Sequence, residues 1–96
     1  MGLAEPLLEL LVILRRAYPR GVPPEDYDAL LLVLQGDMSA ENLAAVVAEL
    51  VDGDPVVVEN DAAAAASVRR PSSEEVWRVQ AHLTAHGWKP EIAPDD

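Results

Sequence analysis

The chain has 96 residues, half of them apolar, and its 17 acidic residues against seven Lys and Arg give a formal net charge of −10. That length fits one domain, and that apolar content is too high for an acidic disordered chain. Cys is absent, which excludes a disulfide framework, a thiolate metal site and a Cys nucleophile.

The apolar run from Leu7 to Leu14 is broken by Glu9 and is far shorter than the ~18 residues a membrane span needs. No Lys or Arg precedes it, so it lacks the basic start of a secretory signal. Gly2 is followed by Pro6, where a myristoylation signal takes Ser or Thr. These features predict a soluble cytoplasmic protein with no membrane partner.

Charge is segregated along the chain. The 48 residues from Gly21 to Val68 hold ten acids and no Lys or Arg. Outside that stretch seven acids meet seven bases. Phosphate binding needs cations that release counterions, so neither nucleic acid nor an anionic membrane surface is an expected ligand.

Five helices are predicted in chain order, separated by Pro, Gly and capping residues. The first runs from about Pro6 to Tyr18, with Leu7, Leu11, Leu14 and Tyr18 at helical spacing. Its other sides carry Leu8, Leu10, Val12 and Ile13, so it lies centrally or partly faces another chain. Pro19 places its stop.

The second helix begins at Pro24, since Pro23 precedes a proline and resists the helical conformation. Glu25 and Asp26 fall in the first turn, where unpaired N–H groups favour anions. Val22 and Tyr27 stand at staple spacing, and Tyr27 is expected to pack under the corner between helices one and two. Tyr27, Leu30, Leu31 and Leu34 form the inward stripe, and Gly36 is the expected left-handed stop.

Ser39 caps the third helix, Met38 and Leu43 repeat the staple, and Gly53 ends it. Its stripe is Leu43, Val46, Val47 and Leu50. The short link predicts that helices two and three form an antiparallel hairpin.

From Asp54 to Asp61, the run Val56, Val57, Val58 has strand propensity and no second strand to pair with. It reads as an extended connector that tucks one or two valines into the core. Asn60 or Asp61 then caps a short fourth helix through Ala62 to Ala66, ended by Pro71.

The fifth helix carries a full capping box, Ser72 with Glu75, and an inward stripe of Val76, Val79 and Leu83. That stripe leaves Trp77 semi-exposed. Glu74 and Arg78 are spaced for an i,i+4 pair. Gly87 is the stop, and Trp88 can close back on Leu83. Residues 91–96 read as a frayed tail to a single domain over 1–90. The expected fold is therefore all-α, a compact bundle of about five short helices.

The stretch Tyr18-Pro19-Arg20-Gly21-Val22-Pro23-Pro24-Glu25-Asp26-Tyr27 resembles a family of small actinobacterial proteins, mostly mycobacterial and rhodococcal, grouped as a domain of unknown function. That family shares a Tyr-Pro, then Gly-Val-Pro-Pro-x-Asp-Tyr, then a Pro-Ser start to a last helix closed by Gly-Trp. Here the later motifs are Pro71-Ser72 and Gly87-Trp88. The resemblance covers about Pro6 to Pro90 and implies a five-helix bundle. It implies no activity, substrate or catalytic residue. Where this chain has Ala62 to Ala66, the family carries larger apolar residues.

No catalytic, cofactor or metal set emerges from the residues. His82 and His86 lie one turn apart, but a stable metal site needs further ligands, and Arg78 one turn earlier would repel a cation. Their expected setting is an exposed polar face. Glu25, Asp26 and Asp28 suit the start of a helix, which favours the charged carboxylate and opposes general acid chemistry. Gly21, Val22, Pro23, Pro24, Asp26, Tyr27, Gly87 and Trp88 read as structural.

The surface chemistry favours a small acidic, non-catalytic module for binding another protein. Asp28, Glu41, Glu49 and Asp52 are its expected interaction face, a basic protein its expected partner, and a monomer its expected form. Helix one offers an alternative homodimer contact. A second reading is an acidic mimic of nucleic acid that occupies a DNA-binding protein. An enzyme or small-molecule binder is a distant third.

Overall fold

A computed structural model describes residue 3 and residues 5–89. Five α-helices follow in order: α1 (Glu5–Ala17), α2 (Pro24–Gln35), α3 (Ala40–Val51), α4 (Pro55–Ser67) and α5 (Ser73–Ala85). No strand occurs among the described residues, as the helical periodicities require. The tail expected over 91–96 lies outside them.

The helices close into a ring that does not follow the chain. α1 packs on α3, α3 on α4, α4 on α2, α2 on α5, and α5 returns to α1. Inside the ring sit Leu14, Leu30, Leu31, Leu34, Leu43, Val46, Val47, Val58, Val79 and Leu83, all fully buried. The Cα radius of gyration is 12.4 Å, close to the ~12.5 Å expected for a folded chain of this length. α2 and α3 touch only as lightly as α5 and α1 do, so the antiparallel hairpin expected of them is a minor contact. Their main partners lie elsewhere: α4 and α5 for α2, α1 and α4 for α3. The link between them only turns the chain. The apolar stripes then find better partners in helices more distant in sequence.

Helix boundaries follow local chemistry. Pro24 stands at the start of α2 after an extended Pro23 (φ −64°, ψ 149°). The Ser39 hydroxyl accepts from the Asn42 N–H at 3.2 Å, and both halves of the Ser72–Glu75 capping box are formed. At the end of α5 the Trp88 N–H reaches the Leu83 carbonyl at 3.0 Å and the Gly87 N–H reaches Thr84 at 3.1 Å. Gly87 has φ +103°. This is a Schellman ending, and it buries the Trp88 ring.

Two helix stops differ from expectation. Gly36 is right-handed (φ −73°, ψ −11°), because its N–H bonds back in a tight turn to Val33. At the end of α3 the left-handed residue is Asp52 (φ 57°, ψ 48°), ahead of Gly53. Asp is among the few non-Gly types that tolerate that region.

The connector expected from Asp54 to Asp61 is helical, as the first two turns of α4. Asp54 caps it, its carboxylate accepting from the Val56 N–H at 2.8 Å, and Pro55 supplies the first helical residue. With the cap and the proline in place, the weaker helical preference of three valines does not prevent the helix. Val58 alone of the three enters the core. Ala62 and Ala65 are also buried, so α4 lies against its neighbours through small side chains.

Candidate functional site

The Gly-Val-Pro-Pro-x-Asp-Tyr run turns the chain between α1 and α2. The Gly21 N–H bonds to the Tyr18 carbonyl at 3.1 Å, and Gly21 adopts φ +92°, where a side chain would be strained. Tyr18 is the ring buried at this corner. Tyr27, expected there, is half-buried and leans toward α4.

Two polar struts leave the first turn of α2. In the first, the Asp26 carboxylate accepts from the Tyr18 hydroxyl at 3.3 Å and from the Arg78 guanidinium at 2.9 Å. It ties the end of α1 and the middle of α5 to α2. Arg78 therefore spans to another helix, where the i,i+4 spacing predicted Glu74. In the second strut, the Tyr27 hydroxyl donates to Asp61 at 2.9 Å. Arg69 lies 3.2 Å from Asp28 and 3.5 Å from Asp61. Gln35 adds an amide donated to the Ala62 carbonyl at 2.8 Å. First-turn dipole complementarity therefore explains only part of Asp26 and Asp28. Both also make tertiary contacts that no local pattern announces.

Burial pushes the Tyr18 hydroxyl well above its usual range, and the Asp26 carboxylate adds to the effect. Burial, then the hydrogen bond to Asp61, pushes Tyr27 up to about 12. Hydrogen bonding to Asp28 raises Arg69 from an already high value. Each shift holds its group in the state that makes the strut.

His82 and His86 do not form the solvated stripe expected of them. Both are half-buried. His82 Nε2–H donates to the Ala17 carbonyl at 2.7 Å, satisfying an acceptor left open at the end of α1. Its ring lies 5.1 Å from Tyr18. His86 Nδ1–H donates to the His82 carbonyl at 2.9 Å. α5 brings His82 under the end of α1, which its own sequence does not reveal. Among the described residues no group of three or more His, Asp or Glu could hold a metal ion.

The proposed interaction residues separate into two sets. Glu41 and Glu49 are exposed on α3 and Asp52 at its C-terminal cap, and Glu49 and Asp52 line one shallow groove. Among the described residues none of the three makes an ion pair. Asp28 stands apart on α2, half-buried and paired with Arg69. Trp77 is 72% exposed on α5, further out than its spacing suggested.

A family model described as "Protein of unknown function (DUF3349)" matches residues 6–91. The chain belongs to that family. The DUF3349 match takes in α2 to α5 entirely, nearly all of α1, and both struts. No curated protein and no solved structure matches the chain. None of the described helices of this DUF3349 chain is long and apolar enough to cross a membrane.

Proposed function

We propose that this DUF3349 chain is a small, non-catalytic protein–protein interaction module that engages a basic partner through the exposed acids of α3. The observation that carries this reading is a contrast in the use of charge. Asp26, Asp28 and Asp61 are compensated by Arg69 and Arg78. Glu41 and Glu49 on α3 and Asp52 at its C-terminal cap stand exposed with no ion pair among the described residues. Their field extends outward, where it speeds encounter with an oppositely charged surface. The same field opposes a homodimer through α3 and favours a monomer. Leu8 and Val12, exposed one turn apart on α1, are the alternative contact for a second copy. The reading includes a cytoplasmic setting, an actinobacterial origin, and the Gly-Val-Pro-Pro-x-Asp-Tyr run as a shared family motif with a structural role.

The test compares the native protein with a Glu41→Gln, Glu49→Gln, Asp52→Asn variant, each immobilised and exposed to a cell lysate. Basic proteins should be retained by the native surface and released by salt. The variant should associate several-fold more slowly with whatever the native protein captures. Equal association by both would overturn the reading.

A further inference from the structure

Three consecutive valines open α4, although β-branched residues lower helix propensity. Burial offsets this for Val58 alone. Val56 is 63% exposed and Val57 53% exposed. Val51, the last residue of α3, is also exposed. The α3–α4 corner thus presents three branched apolar side chains to solvent, Val56 and Val57 with more than half of their surface.

Beside this corner runs a shallow groove. Leu3, Ala45, Ala48 and Pro55 form its apolar part, and Glu49 and Asp52 also line it. The small side chains let another backbone approach closely. Both charged residues that line it are acidic, Asp54 and Glu59 are near in sequence, and no Lys or Arg occurs from Gly21 to Val68. The other exposed apolar residues lack this uniformity. Trp77 stands among Arg70, Arg78, Glu74 and Glu75, and α1 mixes Glu9 with Arg15 and Arg16.

Resting on the interaction reading above, we infer that the α3–α4 corner is the docking site for a basic amphipathic helix of a partner protein. The apolar face of that helix would lie along the groove and against Val56 and Val57. Its Lys and Arg side chains would reach Glu49 and Asp52. Apolar anchoring and a charged rim together are how helix-binding grooves hold their ligands.

The probe is a synthetic helical peptide in which Leu and Lys recur at helical spacing, with a control in which each Leu is Ser. Amide chemical shifts of the full chain are followed during titration, and the titration is repeated on a Val56→Ser, Val57→Ser variant. Both valines are exposed, so the variant should retain its fold, which its amide spectrum checks directly. The Leu–Lys peptide should shift amides from Ala45 to Val57, and the variant should bind it about tenfold more weakly. If the control peptide binds equally well, or the valine replacements change nothing, charge alone governs binding. The corner inference then fails while the interaction reading stands. Binding that maps to Trp77 or to Leu8 and Val12 overturns the corner as well. If neither peptide shows salt-dependent binding, both readings fail.

Discussion

Asp26 accepts hydrogen bonds from side chains on two different segments, the Tyr18 hydroxyl and the Arg78 guanidinium. Its side chain is only 16% exposed. Asp26→Ala would leave a buried phenol without its acceptor and Arg78 without its carboxylate. We expect a loss of about 2 kcal/mol in urea denaturation, typical of hydrogen bonds to a charged group. Asp28→Ala removes a more exposed carboxylate and should cost under about 1 kcal/mol. Equal costs would show that Asp26 is not the stronger junction. The tyrosines give a second residue-scale test. Tyr27 is raised to about 12 in the folded chain, against an ordinary value near 10. Below pH ~10 the phenol is protonated folded or unfolded, and its contribution is complete. Between about 10 and 12 the unfolded chain loses the proton first, so stability falls as pH rises. Tyr18 is raised also and acts in the same sense. Tyr27→Phe should flatten the fall across that interval, measured by denaturation at stepped pH with the phenolate absorbance followed in parallel. The sequence marked Asp26 and Tyr27 as structural. It could not show what they hold, because Arg78 and Asp61 lie 52 and 34 residues away.

At the scale of the element, α4 shows where local signals compete. Asp54-Pro55 is a legible helix start, a cap followed by a proline in the first turn. The valines that follow have the opposite preference, which points to an extended segment and a helix start two turns later. Cap and proline prevail because they act at the boundary, where the helix must be nucleated. The alanines explain themselves once packed. Ala65 is fully buried and Ala63 is exposed, so a larger side chain has no room at one position and ample room at the other. Ala65→Leu should destabilise by about 1–3 kcal/mol through overpacking, and Ala63→Leu by less than about 0.5 kcal/mol. Thermal unfolding of the two variants checks this. Similar melting temperatures would mean that α4 is loosely held. At the other end of the chain, the Schellman ending of α5 was legible because Leu83, Gly87 and Trp88 are close neighbours in sequence.

For the whole molecule the governing quantity is charge, −10 in total and concentrated between Gly21 and Val68. Two of the arginines, Arg69 and Arg78, are held against carboxylates of α2. Duplex DNA therefore meets acids and neutralised arginines over much of the surface. Fluorescence anisotropy with mixed-sequence duplex at physiological salt should show no binding. Salt-dependent micromolar affinity would mean that Arg15, Arg16 and Arg20 suffice as a patch.

Helix positions were determined by the sequence itself, because caps, prolines, staples and stop residues act within a turn of where they stand. Pro24, Ser39, Ser72 and Gly87 mark boundaries whatever the surroundings. So does the apolar spacing that selects Leu14, Leu30, Leu34, Leu43, Val79 and Leu83 for the core. The ring order α1–α3–α4–α2–α5 was decided only by tertiary packing. Apolar stripes specify a face to bury and leave the partner open. The choice falls to whichever arrangement closes the core and satisfies the polar ends. That arrangement brings His82 under the last turn of α1 and gives Arg78 to Asp26. It pairs Asp28 with Arg69 and leaves Glu41, Glu49 and Asp52 exposed on α3 and its C-terminal cap. Whether an acid holds the fold or faces outward depends on which cation the other helices bring within reach. That is a property of the folded chain alone.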